Sequence, residues 1–143
     1  MLRPFARTQD AGLRTAIPIV APEGLSVIET GVDIVEIERI EAALTRFGER
    51  MLERVYTPGE IVQCRGKAES LAARFAAKEA AFKVLGVRLG WREVEVQREP
   101  SGKPRLLLHG RALEVAGRLG LKSWSVSLSH SRQHAVAVVV ALG

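Results

Sequence analysis

A chain of 143 residues fits one domain and can bury a real core without disulfides or structural metals. Its single cysteine, Cys64, excludes an intrachain disulfide and a thiolate zinc cluster and suits a reducing compartment, while no apolar run approaches the roughly 20 residues of a membrane span. The net charge of +5 favours an anionic partner, and charge alone leaves nucleic acid, a phosphate-rich cofactor and an acidic protein all open.

Residues 1–25 carry Arg3, Arg7 and Arg14 among Pro4, Pro18 and Pro22 without a clean period. They read as a loose N-terminal extension to a domain spanning 26–143. The segment is Arg-rich and acid-poor like a transit peptide but lacks serine enrichment, so a bacterial extension or a misplaced start is the plainer reading. The stretch 26–37 alternates as a strand ending near Asp33, and 36–47 follows as a helix with Ile37, Ile40, Leu44 and Phe47 at helical spacing. A second short helix covers 49–56. Thr57 then caps a third, with Pro58 at its first position and Glu60 completing a capping box. A longer helix runs over 68–85 and stops at Gly86. Strands at 94–99 and 104–109 flank a turn at Pro100, Ser101, Gly102 and Lys103. A helix spans 110–120, and two strands, 123–130 and 134–142, close the chain. Ser125, Ser127 and Ser129 line one face of the first of these. The fold class is α+β, a mostly antiparallel sheet with helices packed on one side.

Two carboxylates stand out. Glu79 lies at the edge of the apolar face formed by Leu71, Phe75 and Phe82, beside Ala72, Ala76 and Lys83. It is either half of a routine Glu79–Lys83 surface pair or a carboxylate at a site. Asp33 sits among apolar strand residues, where aspartate is disfavoured, so it either caps the following helix or binds something. Gly31, two residues earlier, lets another backbone or a ligand come close. Magnesium suits such a pair, because it takes one or two protein carboxylates with waters and substrate phosphates. Cys64 reads as an incidental helix residue.

The segments TGVDIVEIERI (30–40) and RFAAKEAAFK (74–83) together resemble the holo-acyl-carrier-protein synthase family. Gly31, Asp33 and Arg39 fill its first pattern, and Phe75, Lys78, Glu79, Ala80 and Lys83 its second. The stretches 46–60, 100–104 and 125–130 match as well, so the likeness covers about 26–142. The resemblance implies the 4′-phosphopantetheinyl transferase fold and a cytoplasmic homotrimer with active sites at its interfaces. It implies transfer of 4′-phosphopantetheine from coenzyme A to a serine of an apo acyl carrier protein, releasing 3′,5′-ADP, in support of fatty-acid biosynthesis. Carriers of polyketide or peptide synthesis are the alternative substrates. Asp33 and Glu79 are then the magnesium ligands, and Asp33, Glu79 and Lys83 the catalytic group, with Glu79 taking the serine proton directly or through a water. Arg74, Lys78, Lys83, Ser101, Gly102, Lys103, Pro104 and His130 are the expected coenzyme A contacts. His130 read by itself is a turn residue in a strand connection. Arg39, Arg46 and Arg50, spaced so as to share a face if the first two helices run on, are the expected contacts to the acidic carrier protein.

A nucleic-acid-binding module and a non-catalytic binding module are the rival classes. The basic residues are interleaved with Glu36, Glu38, Glu41, Glu49 and Glu53, and no zinc-finger spacing or RNP-type aromatic stretch is present. P-loop and Rossmann fingerprints are missing from the sequence.

Overall fold

The computed structural model describes residues 27–143. The expectation for residues 1–25 lies outside them. In chain order the elements are β1 (Ile28–Glu36), α1 (Ile37–Phe47), α2 (Glu49–Val55), α3 (Pro58–Cys64), α4 (Ala68–Leu85), a 3-10 turn (Trp91–Glu93), β2 (Val94–Arg98), β3 (Pro104–Leu108), α5 (Gly110–Arg118), β4 (Ser123–His130) and β5 (His134–Leu142).

The strands are antiparallel but divide into two sheets, β1-β5-β4 and the hairpin β2-β3. In the larger sheet Asp33 pairs with Ala137, and Ala137 with Leu128. Alternation along β5 buries Ala135, Ala137, Val139 and Ala141 against α4 and turns the even-numbered residues outward. Among the described residues nothing packs on the outer face: Val32 is 55% exposed and Ile34 64%, beside Val138 and the serines of β4.

β1 runs on to Glu36 rather than ending near Asp33, because Val35 keeps its ladder partner Ala135 and is buried. α1 and α2 do not run on into each other. Gly48, at φ +56°, ends the first and leads into the second. The capping box at Thr57 and Glu60 forms as the spacing predicts.

α4 is the central beam. The pattern predicts one apolar face, but the helix is buried nearly all round: alanines 72, 73, 76, 77, 80 and 81 join Leu71 and Phe82 in the core. The reason is position. The sheet covers one side of α4, while α3 and β2 close on the other.

Candidate active site

The site begins with a missing side chain. A Cβ at Gly31 would fall 2.1 Å from the Ala80 carbonyl oxygen, so only glycine lets β1 lie this close to α4. The alanines of α4 and β5 keep the same helix–sheet seam thin. The approach carries Asp33 to the stripe of α4 that bears Glu79 and Lys83. Lys83 Nζ donates to the Val32 carbonyl at 2.7 Å and to Asp33 Oδ1 at 3.3 Å. Both local alternatives fall away here. Asp33 does not cap α1, whose N-cap is Glu36, and Lys83 is paired with Asp33 instead of Glu79.

Glu79 is held by a residue that the sequence reading overlooked. The Arg88 guanidinium meets both of its oxygens at 3.2 Å, a two-pronged contact from beyond the helix end. The two carboxylates are half-buried, Asp33 20% and Glu79 18% exposed. Each draws a cationic side chain from the chain itself, so this corner attracts positive charge. Among the described residues no cluster of three or more His, Cys, Asp or Glu could hold a metal. Two partly exposed hard carboxylates are nonetheless the donor type magnesium takes, with waters and phosphates completing its shell.

Arg74 and Lys78 are not beside these groups. Lys78 is 0% exposed and Arg74 2%, so neither side chain is free to meet a phosphate in this chain. Lys78 Nζ pairs with Glu60 Oε1 at 2.7 Å and donates to the Trp91 and Val94 carbonyls. Burial pushes the Lys78 ammonium pKa below its usual range, and Glu60 opposes that shift. Arg74 donates to the Val96 carbonyl, Gln63 and the Cys64 sulfur. Cys64 is a core residue whose thiol burial pushes upward. The i,i+4 spacing of Arg74 and Lys78 is real, but it aims both charges inward, where they tie α4 to α3 and β2.

His130 is exposed at the end of β4, and its register partner is Ala135. It shares the sheet face of Asp33 but lies two strands across and two residues along, about 12 Å away by strand spacing and rise. It lines an open cavity of about 390 Å³ with Ile37, Glu41, Glu69, Ser131 and Arg132. Ser101, Gly102 and Lys103 form the exposed tip of the β2-β3 hairpin, where Gly102 takes φ +89°. Lys103 and Pro104 adjoin Trp124, Ser125 and Val126 of β4, the sheet edge opposite the one that carries Asp33. Arg39, Arg46 and Arg50 are all exposed, but the break at Gly48 removes the shared helical face expected for Arg50. Arg46 instead stacks over Phe47, whose ring is exposed.

Comparison with known proteins gives one answer. The family model described as the 4′-phosphopantetheinyl transferase superfamily matches residues 29–139. The holo-[acyl-carrier-protein] synthase of Herpetosiphon aurantiacus is 50% identical over 127 residues, covering 82% of this chain and 100% of that protein. The crystal structure of the Helicobacter pylori holo-[acyl-carrier-protein] synthase in complex with coenzyme A superposes with a TM-score of 0.72 at 37% identity, covering 78% of this chain and 98% of that one. The Plasmodium yoelii holo-ACP-synthase gives 0.75 at 29% identity, covering 85% and 98%. A chain that pairs this fold with Asp33, Glu79 and Lys83 at one corner, and matches these enzymes over nearly their full length, belongs to the holo-acyl-carrier-protein synthase family of 4′-phosphopantetheinyl transferases.

Proposed function

We propose that this protein transfers 4′-phosphopantetheine from coenzyme A to a serine of an apo acyl carrier protein. One observation carries the reading: the Gly31 contact with α4 that holds Asp33 against the helix of Glu79 and Lys83. The serine oxygen attacks the phosphate next to pantetheine. A new oxygen–phosphorus bond forms, the bond to the second phosphate breaks, and 3′,5′-ADP leaves. Asp33 and Glu79 would hold magnesium, which when bound supplies positive charge at the pyrophosphate. Glu79 is also the carboxylate available to take the serine proton. Lys83, more than half exposed, can turn from Asp33 toward the phosphates as charge moves to the leaving group. His130 and the tip at Ser101, Gly102, Lys103 and Pro104 remain the proposed coenzyme A contacts. Arg74 and Lys78 are withdrawn from that set and serve the core. Arg39, Arg46 and Arg50 are proposed to meet the acidic carrier.

We infer a homotrimer as well. The hairpin tip and Asp33 flank opposite edges of one sheet, so a single chain does not bring them together. A closed head-to-tail ring would set the tip of one copy against the Asp33 edge of the next. The same ring gives Val32, Ile34 and Val138 something to bury against. Family membership supports a cytoplasmic setting and a role in fatty-acid biosynthesis.

The test is an incubation with coenzyme A, Mg²⁺ and apo carrier protein, read as the intact mass of the carrier. A gain of one phosphopantetheine, lost with EDTA and in Asp33→Ala, is expected. Folded protein that modifies none of several different carriers would overturn the proposal.

A further inference from the structure

The pairing of Arg88 with Glu79 has no part in the mechanism above. Arg88 lies on the stretch between Gly86 and Gly90, past the end of α4, and folds back to reach Glu79. That stretch is anchored at both ends. Gly86, at φ +72°, donates to the Phe82 carbonyl, and the Gly90 N–H donates to Glu93 Oε2 at 2.7 Å. The guanidinium also rests over the Trp91 ring, 5.4 Å from its centre. Trp91 in turn stacks on Phe75 and leans on Phe82. The arginine thus has a fixed base, a fixed aromatic rest and a side chain that is 65% exposed.

Its two prongs take up both oxygens of Glu79, the carboxylate proposed above as a metal ligand. A divalent cation coming to those oxygens competes with the fork for them, and it meets a positive charge as it comes. A coenzyme A pyrophosphate arriving at the same corner offers the guanidinium a second anion of matching geometry. We propose that Arg88 is a positioning residue that occupies Glu79 in the free enzyme and moves to the phosphates of coenzyme A, making metal uptake conditional on that substrate. This rests on the reading of Asp33 and Glu79 as a metal site. Coupling of this kind is reciprocal, so the metal must tighten coenzyme A binding by the factor by which coenzyme A tightens metal binding.

The probe is Mn²⁺, followed by electron paramagnetic resonance of the free ion, with the full-length protein alone and with saturating coenzyme A. Manganese bound to free coenzyme A is subtracted. Arg88→Ala should bind Mn²⁺ about three- to ten-fold more tightly than the natural protein when coenzyme A is absent, the range for losing an exposed ion pair and a neighbouring positive charge. It should also lose most of the enhancement that coenzyme A produces. Arg88→Lys keeps the charge without the fork and should fall between the two. Asp33→Ala and Glu79→Gln report on the site itself. If they leave Mn²⁺ affinity untouched, the carboxylate pair is no metal site, and both this proposal and that assignment fail. If they abolish binding while Arg88→Ala changes it by less than two-fold or weakens it, the metal site stands and the role given to Arg88 is refuted.

Discussion

Replacing Lys78 by methionine separates two roles for a residue that the family pattern marks. Methionine keeps the length and bulk of the lysine stem and removes the charge. In the structure the ammonium has no exposure and three acceptors, among them Glu60 at 2.7 Å. Its loss leaves the Glu60 carboxylate in the core with only the Thr57 and Val96 N–H groups, and strips two carbonyls of a donor. Breaking a buried pair from one side costs about 3–5 kcal/mol. That is a large share of the ~5–15 kcal/mol that holds a domain together. At roughly 3–5 °C per kcal/mol for a domain of this size, the melting temperature should drop by about 9–25 °C. Circular dichroism melts measure the drop, and calorimetric titration with coenzyme A well below the lowered transition should find affinity within about two-fold of the natural protein. The double variant Lys78→Met, Glu60→Gln should recover part of the loss, since the stranded charge is gone. A melting temperature shifted by less than about 3 °C, together with a ten-fold loss of coenzyme A affinity, would refute the reasoning and return Lys78 to the phosphates.

Gly31→Ala would force a Cβ to 2.1 Å from the Ala80 oxygen, so β1 must retreat from α4 by about 1 Å. Such overpacking costs about 1–3 kcal/mol, and a misplacement of that size at Asp33 should lower kcat by about 100-fold, measured in melts and carrier-modification assays. A kcat within a few-fold of the natural value would show that the close approach does not set the site. Ile34→Asp puts a charge on the uncovered sheet face. If the proposed trimer uses this face, light scattering should then report a monomer in its place, and an unchanged mass would exclude this face from the interface. Arg39→Glu and Arg50→Glu should each raise the KM for carrier protein by about ten-fold and spare that for coenzyme A. Equal effects on both substrates in steady-state kinetics would count against the carrier surface.

The parts legible in the sequence are those written in local chemistry. A capping box at Thr57 and Glu60, a left-handed stop at Gly86 and a Pro-Ser-Gly-Lys turn each act within four residues, and each formed as read. The strand at 134–142 was legible, but both of its faces are apolar, and packing chose the one with the smaller side chains, Ala135, Ala137, Val139 and Ala141, to meet α4. One failed reading was also local: Gly48, between two adjacent helices, broke a face that spacing alone would have carried from Arg46 to Arg50. The other failures were decided at longer range.

The amino-acid order by itself determined that this chain builds strands and helices in this sequence, and that acids with phosphopantetheinyl-transferase spacing sit on β1 and α4. Tertiary structure decided which charges are available for chemistry. Arg74 and Lys78 differ little in sequence from Lys83, yet α4 is enclosed by the sheet on one side and by α3 and β2 on the other, so the first two charges are spent inside and the third reaches Asp33. Asp33 meets that helix only because Gly31 has no side chain to hold Ala80 away. Glu79 meets Arg88 only because the chain turns back after Gly86. Contacts between segments depend on packing and loop closure, and no local propensity encodes either.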